Sequence, residues 1–414
     1  MSVRDRAWAP VQAIRAVGPL AGLSTETVRA ALVGLHAADP TARLLSRLDI
    51  AGWRWAAPPA PEFTARLDSL LLDVDPAEPA TVDSVVRRLL PVVPGDRAMV
   101  LAVHGNYLAA RISHGVGDGR VVNRLLLDLL LTATQPQPAA PRTPGTRAAL
   151  ARAVAWHFRR HPAALAAAAR VALPPPAPVG TAISWASRLA YSSARSPADG
   201  LRRLREWRDA HLPGVTTASI VFAAASSALR QAGLCPYRPG VVILIDARRY
   251  LPPGSTVDGN FSWGQYLVPT DPEDPRAIDT VLRAELASGR ALLMLALRDA
   301  RAALLPRSAA APSTVGPVPG PDLSLSHLGR LDGYAELPWT GAHEGHRFVC
   351  VPPPAGPAGI TFSLSEMSGA LHVTAAFHGS TFPQAAVDRA VELVATRPVD
   401  LVMAAPRPGL PRSS

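Results

Sequence analysis

Lysine is absent from this chain: all 42 basic side chains are arginine. Cysteine is nearly absent, with Cys235 and Cys350 far apart and neither in a Cys-x-x-Cys pair. Neither a disulfide framework nor a zinc knuckle is indicated. Charged residues make up only 18% of the sequence, too few for a chain that stays disordered in water. No uncharged, proline-free apolar run is long enough to span a bilayer. The N-terminal stretch, Met1 to Pro10, lacks the apolar segment of a signal peptide. The expectation is a soluble cytoplasmic protein with no transmembrane segment. Contact with a membrane surface stays open.

Three motif chemistries are missing too. Gly115-x-Gly117-x-x-Arg120 lacks the third glycine of a dinucleotide loop. His343-Glu344-Gly345-His346 is one residue short of His-Glu-x-x-His, so its two histidines are not one helical turn apart. It reads as loop, and no metal site is expected. No Gly-x-Ser-x-Gly elbow surrounds any serine.

The chain is rich in apolar material, at 48% of 414 residues, and in proline, with 43. That is more than one compact core usually carries, so two domains are expected. The formal charge is +10. An arginine-only, Ala- and Pro-rich composition is what GC-rich coding produces, so charge alone argues weakly for a ligand. No aromatic-interleaved basic motif accompanies it, and no nucleic-acid partner is expected. Arg147, Arg152, Arg159 and Arg160 beside Trp156 and Phe158 have the pattern of a membrane-surface helix. An interdomain helix packed by its alanine face is the simpler reading.

Periodicity predicts helices over 24–48, 81–90, 147–173, 197–210, the buried Gly214 to Ala232 stretch, 276–297 and 382–395. Short apolar runs predict strands at Met99 to Val103, Tyr107 to Ser113, Val241 to Asp246, Gln265 to Val268, Leu323 to Leu328, Phe348 to Val351, Ile360 to Ser365 and Leu371 to Phe377. Turns are expected at Gly105-Asn106 and Ser368-Gly369. The Pro-rich break at 134–147 is the best linker. The boundaries follow: an N-terminal lobe, 1–140; a linker and helical connection, 141–200; a C-terminal lobe, 201–405; and a tail, 406–414. Mixed helices and strands in both halves predict an α/β (α+β) sandwich in two lobes.

The segment that carries chemistry is Ile112-Ser113-His114-Gly115-Val116-Gly117-Asp118-Gly119. Leu108, Ala110, Ile112 and His114 fall at even spacing and share one face of a strand. The imidazole is thereby expected at the strand end, facing the interior. Two glycines let the chain turn close to the ring. Asp118 stands where a helix begins, and Val122, Leu125, Leu126, Leu129 and Leu130 continue that helix. An imidazole titrates near neutrality and can take a proton from an alcohol, amine or thiol. Asp118 can orient that ring or pair with an arginine and hold the loop.

His114, Asp118 and Gly119 form a His-x-x-x-Asp-Gly motif, and with it the sequence resembles the coenzyme A-dependent acyltransferase superfamily. That group takes in chloramphenicol acetyltransferase-like enzymes, plant alcohol acyltransferases, wax ester synthases, polyketide-associated acyltransferases and the condensation domains of peptide synthetases. Ser113 stands where many members have a second histidine. Further matches follow in order. Gly214-Val215-Thr216-Thr217 resembles the opening of the second lobe. Ile245-Asp246-Ala247-Arg248-Arg249 with Gly259-Asn260 resembles an Asp-x-Arg strand and Gly-Asn loop. Asn260 to Gly264 is similar to the plant Asp-Phe-Gly-Trp-Gly box, and Leu325 to Gly329 to a Ser-Asn-Leu-Gly strand.

The resemblance implies two chloramphenicol acetyltransferase-like lobes with a tunnel between them. It implies acyl transfer from a thioester, carried by coenzyme A or a carrier protein, to a hydroxyl or amine. His114 would be the general base, Asp118 structural, Gly119 the residue keeping the loop tight and Arg248 the partner of Asp118. Ser326, Asn260 or the backbone near Gly117 would face the oxyanion or substrate. No cofactor would be bound; acyl-CoA or acyl-phosphopantetheine would be the co-substrate. A stand-alone condensation-like domain and a non-catalytic binding member of the fold are the alternatives.

Overall fold

The structure is a computed structural model, and it describes residues 1–49, 53–135, 145–170, 174–175, 181–304, 314–318 and 320–404. Two sheets organise it. The first has five strands in the order Arg347–Val351, Gln12–Gly18, Tyr107–Ser113, Met99–His104 and Leu71–Asp73. The second has six, in the order Ser262–Leu267, Val241–Asp246, Asp322–Arg330, Gly359–Met367, Ala370–His378 and Leu189–Arg195. The α/β architecture in two lobes is therefore present.

Both hairpins read from the sequence form. Met99–His104 and Tyr107–Ser113 pair antiparallel from Met99 opposite Ile112 to His104 opposite Tyr107. Gly359–Met367 and Ala370–His378 turn at Ser368 and Gly369, both at positive φ. That is the combination a two-residue hairpin turn requires. The helix Gly119–Thr134 lays Val122, Leu125, Leu126, Leu129 and Leu130 over Leu108, Ala110 and Ile112 of the first sheet. In the second lobe Thr217–Gln231 and Gln384–Thr396 bury Ile220, Phe222, Val387 and Val391 against Ile243, Phe362 and Val373.

The contiguous division at 140 and 201 does not describe these sheets. Arg347–Val351 lies inside the 201–405 segment yet joins the first sheet, with Ile14 opposite Val351 and Gly18 opposite Arg347. Leu189–Arg195, placed in the linker, is the edge strand of the second sheet, paired with Ala370–His378. A short apolar run specifies a strand but not its partner, because pairing is a long-range choice. Gln12–Gly18, with Arg15 at its centre, went unread as a strand.

Several helices are shorter than their periodicity predicts. The 24–48 helix runs only over Thr25–Ala38 and stops ahead of Pro40, since the residue before a proline disfavours helix. The 147–173 stretch is Ala149–Arg160 and Pro162–Ala168, broken at His161-Pro162. The 276–297 helix is Pro275–Ser288 and Arg290–Leu304, separated by Gly289 at φ +67°. The strand near 265 starts earlier, at Ser262. Residues 136–144 of the Pro-rich break, 171–173, Pro176 and the 406–414 tail lie outside the described residues.

Phe348 anchors the returning strand. It is buried to 2% exposure, edge-on to Tyr334 with ring centroids 5.4 Å apart. Truncating a fully buried phenylalanine typically costs about 3–5 kcal/mol. Phe348→Ala is expected to lose that much in urea unfolding; a loss below about 1 kcal/mol would mean that the strand contributes little.

Candidate active site

The Tyr107–Ser113 strand ends at the edge of the first lobe, and the next residue is His114. The His114 N–H donates to the Val11 carbonyl at 2.8 Å, extending the pairing with the neighbouring strand. Ser113 is buried; its hydroxyl donates to the Ala9 carbonyl at 2.7 Å and accepts from the Gly115 N–H at 3.1 Å. The residue before the histidine is thus a tie between the loop and the N-terminal segment. Gly117 is needed where it stands: a Cβ there would lie 2.6 Å from Val121 Cγ1. At Gly119 a Cβ would come 3.1 Å from Leu328 Cδ2, a side chain of the second sheet.

Asp118 caps the helix Gly119–Thr134, its Oδ1 accepting from the Val121 N–H at 3.4 Å. Its Oδ2 belongs to the other lobe. It accepts from Arg248 Nη1 at 2.7 Å, the Phe261 N–H at 2.8 Å and the Ser262 hydroxyl at 3.2 Å. Both members of the ion pair are buried, their side chains 10% and 6% exposed. Arg248 is further held by Asp246 Oδ1 at 3.1 Å and the Gly259 carbonyl at 2.8 Å. Asp118 therefore points away from the imidazole's work and joins two halves of the chain.

Asn260 does something other than sequence reasoning offered. Its amide donates to the His114 carbonyl at 2.7 Å and to Asp5 Oδ1 at 3.0 Å. With both side-chain N–H groups engaged, it is a tether on the backbone of residue 114 and has no donor left for an oxyanion. Asp5, buried to 2% exposure, also accepts from the Asn260 N–H at 3.1 Å and from Arg43 at 3.3 Å. Sequence reasoning missed Asp5; its one local signal is its place three residues after Ser2, whose hydroxyl caps that short helix.

Ser326 lies on Asp322–Arg330, opposite Ser363. Leu323 and Leu325 enter the second core, so Ser326 and Leu328 take the other face, and Leu328 packs on the first. Ser326 is buried, with no hydrogen-bond partner among the described residues, so its hydroxyl is available as a donor. Next to the Asp118–Arg248 pair is a cavity of about 400 Å³, lined by Phe222, Ile243, Leu282, Arg120, Arg249 and His327. His343 and His346 fall in a short 3₁₀ turn and the residue after it. Among the described residues no group of three or more His, Cys, Asp or Glu is placed to hold a metal ion.

His114 is half-buried, with the Trp8 ring alongside at 5.5 Å between ring centroids. Its titration is pushed down to about 4, first by loss of hydration and then by the positive charge of Arg15. Asp118, and hydrogen bonds donated by the ring to Asn260 and to the backbone of Gly117, oppose the shift and lose. Nδ1 is buried without a hydrogen-bond partner. A neutral imidazole held in this way can accept a proton from any hydroxyl or amine that reaches it.

No protein-family model and no curated protein sequence matches the chain. Solved structures do. Polyketide synthase associated protein 5 from Mycobacterium tuberculosis superposes with a TM-score of 0.55 at 16% identity, over 96% of this chain and 97% of that one. A trichothecene 15-O-acetyltransferase from Fusarium sporotrichioides gives 0.56 at 11%, over 97% and 92%. The first condensation domain of the CDA synthetase gives 0.55 at 18%, over 96% and 92%. This chain therefore shares the fold of these three proteins over nearly its whole length.

Removing one partner of a buried ion pair strands the other, at a cost of about 3–5 kcal/mol. Asp118→Ala is expected to destabilise the protein by that amount in urea unfolding. A cost under about 1 kcal/mol would show that the pair does not bind the lobes.

Proposed function

We propose that the protein transfers an acyl group from a thioester to a hydroxyl or amine, with His114 as the general base. The observation that carries this reading is a half-buried, neutral imidazole at the junction of two lobes, on a loop fixed by Asp118 and Arg248. His114 takes the proton from the acceptor as its oxygen or nitrogen attacks the thioester carbonyl carbon. The tetrahedral intermediate collapses, the carbon–sulfur bond breaks, and the imidazolium returns its proton to the leaving thiolate. Negative charge on the thioester oxygen needs a donor before collapse. The unengaged Ser326 hydroxyl is the side chain that supports this role best; backbone N–H near Gly117 is the other source.

The donor is acyl-CoA or acyl-phosphopantetheine on a carrier protein, a co-substrate rather than a bound cofactor. The net charge of +10 supports an anionic donor or an acidic carrier. The acceptor is a small molecule. A cytoplasmic location fits these substrates, and among the described residues no helix is long and apolar enough to cross a membrane.

The test is thiol release from a panel of acyl-CoA and acyl-carrier donors, with mixed alcohol and amine acceptors. His114→Ala is expected to lower the rate by about 10²–10⁴-fold while remaining folded. The base form is the neutral ring, so activity is lost as pH falls through the titration of His114. For the wild type kcat/KM is expected to stay level well below the ordinary histidine value and to fall near pH 4. Full activity in folded His114→Ala would overturn the reading.

A further inference from the structure

Arg15 is the least expected residue of the first sheet. It sits mid-strand in Gln12–Gly18, between Ala110 on one neighbouring strand and Cys350 on the other. Facing pairs in a sheet point the same way, so Arg15 shares a face with Ala110, Ile112 and, one step past the strand end, His114. The side chain is buried to 2% exposure. Its guanidinium reaches the helix Gly119–Thr134. Nε donates to Asn123 Oδ1 at 3.0 Å and Nη1 to the Ile14 carbonyl at 3.2 Å. Both acceptors are neutral. Nη2 has no hydrogen-bond partner among the described residues and lies 3.6 Å from where a Cβ on Gly119 would stand. Leu328 of the second lobe closes on that same point.

Buried charges are ordinarily paired, because a guanidinium is a permanent cation and its hydration is costly to remove. Among the described residues no carboxylate forms an ion pair with Arg15. Asp118, on the same loop, already pairs with Arg248. A glutamine would serve Asn123 and the Ile14 carbonyl without the charge. After loss of hydration, the cation is the second cause that lowers the titration of His114. An anion delivered to Nη2 would supply the missing counter-charge beside the base.

We propose that Arg15 is a recognition residue for a carboxylate carried by one of the two substrates, on the acyl chain or on the acceptor. This rests on the acyl-transfer reading for its substrates, but the subsite itself can be tested without turnover. A carboxylate seated there would sit within the same enclosure as the reacting thioester and orient it by a charge-assisted bond.

Two kinetic arms separate the sources. Succinyl-CoA is compared with butyryl-CoA on a neutral amine, and an amino acid with its decarboxylated amine on a neutral donor. In one arm the wild type is expected to favour the carboxylate by at least about tenfold in kcat/KM, a typical margin for a charged contact. Arg15→Gln is expected to erase that preference, so that the variant uses the carboxylate and its neutral counterpart with kcat/KM values within about threefold of each other. Independently of turnover, butyrate but not butyramide is expected to raise the melting temperature of the wild type, and Arg15→Gln to abolish the rise. Equal stabilisation by the acid and the amide, or none by either, would overturn the proposal. So would a uniform loss in Arg15→Gln across charged and neutral substrates. A wild type that binds butyrate through Arg15 yet releases no thiol would keep the subsite and count against acyl transfer.

Discussion

One buried carboxylate carries the geometry of this protein. Asp118 starts the helix Gly119–Thr134 in the first lobe and accepts from Arg248, Phe261 and Ser262 in the second. A carboxylate out of water is tolerated only when its lone pairs are met, and here four donors meet them. The glycines around it follow from that demand. Gly117 lets the loop pass Val121, and Gly119 lets Leu328 approach. A second tie, Asn260 between the His114 carbonyl and Asp5, fixes the backbone of the histidine from the same loop of the second lobe. The imidazole is thus positioned through its main chain and through its neighbours, and its Nδ1 has no hydrogen-bond partner among the described residues.

That arrangement decides the ring's electrostatics. Asp118 has the sign to raise the titration of His114, but its charge is shared with Arg248. Burial and Arg15 prevail, and the ring is held neutral. A base in that state is ready at ordinary pH, and its enclosure strengthens any charge brought beside it. Loss of hydration is the first cause of the neutral ring and Arg15 the second, and the proposed carboxylate site is at that same arginine.

The local part of this design is legible in the sequence. Alternation through Leu108, Ala110 and Ile112, two glycines, a capping Asp118 and a helical apolar pattern place His114 without knowledge of the fold. The two tight hairpins are legible for the same reason, since their turn residues are local. What was not legible is long-range. Arg347–Val351 carries no mark of the sheet it joins, and Leu189–Arg195 is a half-exposed edge strand with little apolar signal. Asn260 is one of three candidate donors in the sequence, and the two acceptors that engage it lie 146 and 255 residues away. Arg15 hid its own strand by breaking an apolar run, although a lone arginine within Val11 to Val17 was the signal available. Helix lengths were overread where Pro40, Pro162 and Gly289 stop the backbone.

The central claim is that His114 stands neutral, in a junction built by Asp118, within reach of Arg15. An NMR titration of the His114 ring tests it most directly. The ring is expected to remain neutral at pH 5.5 and to protonate near 4. In Asp118→Asn it should protonate lower still, and in Arg15→Gln higher, because those charges act in opposite senses. A ring that titrates near 6.5 in the folded wild type, indifferent to both substitutions, would contradict the account.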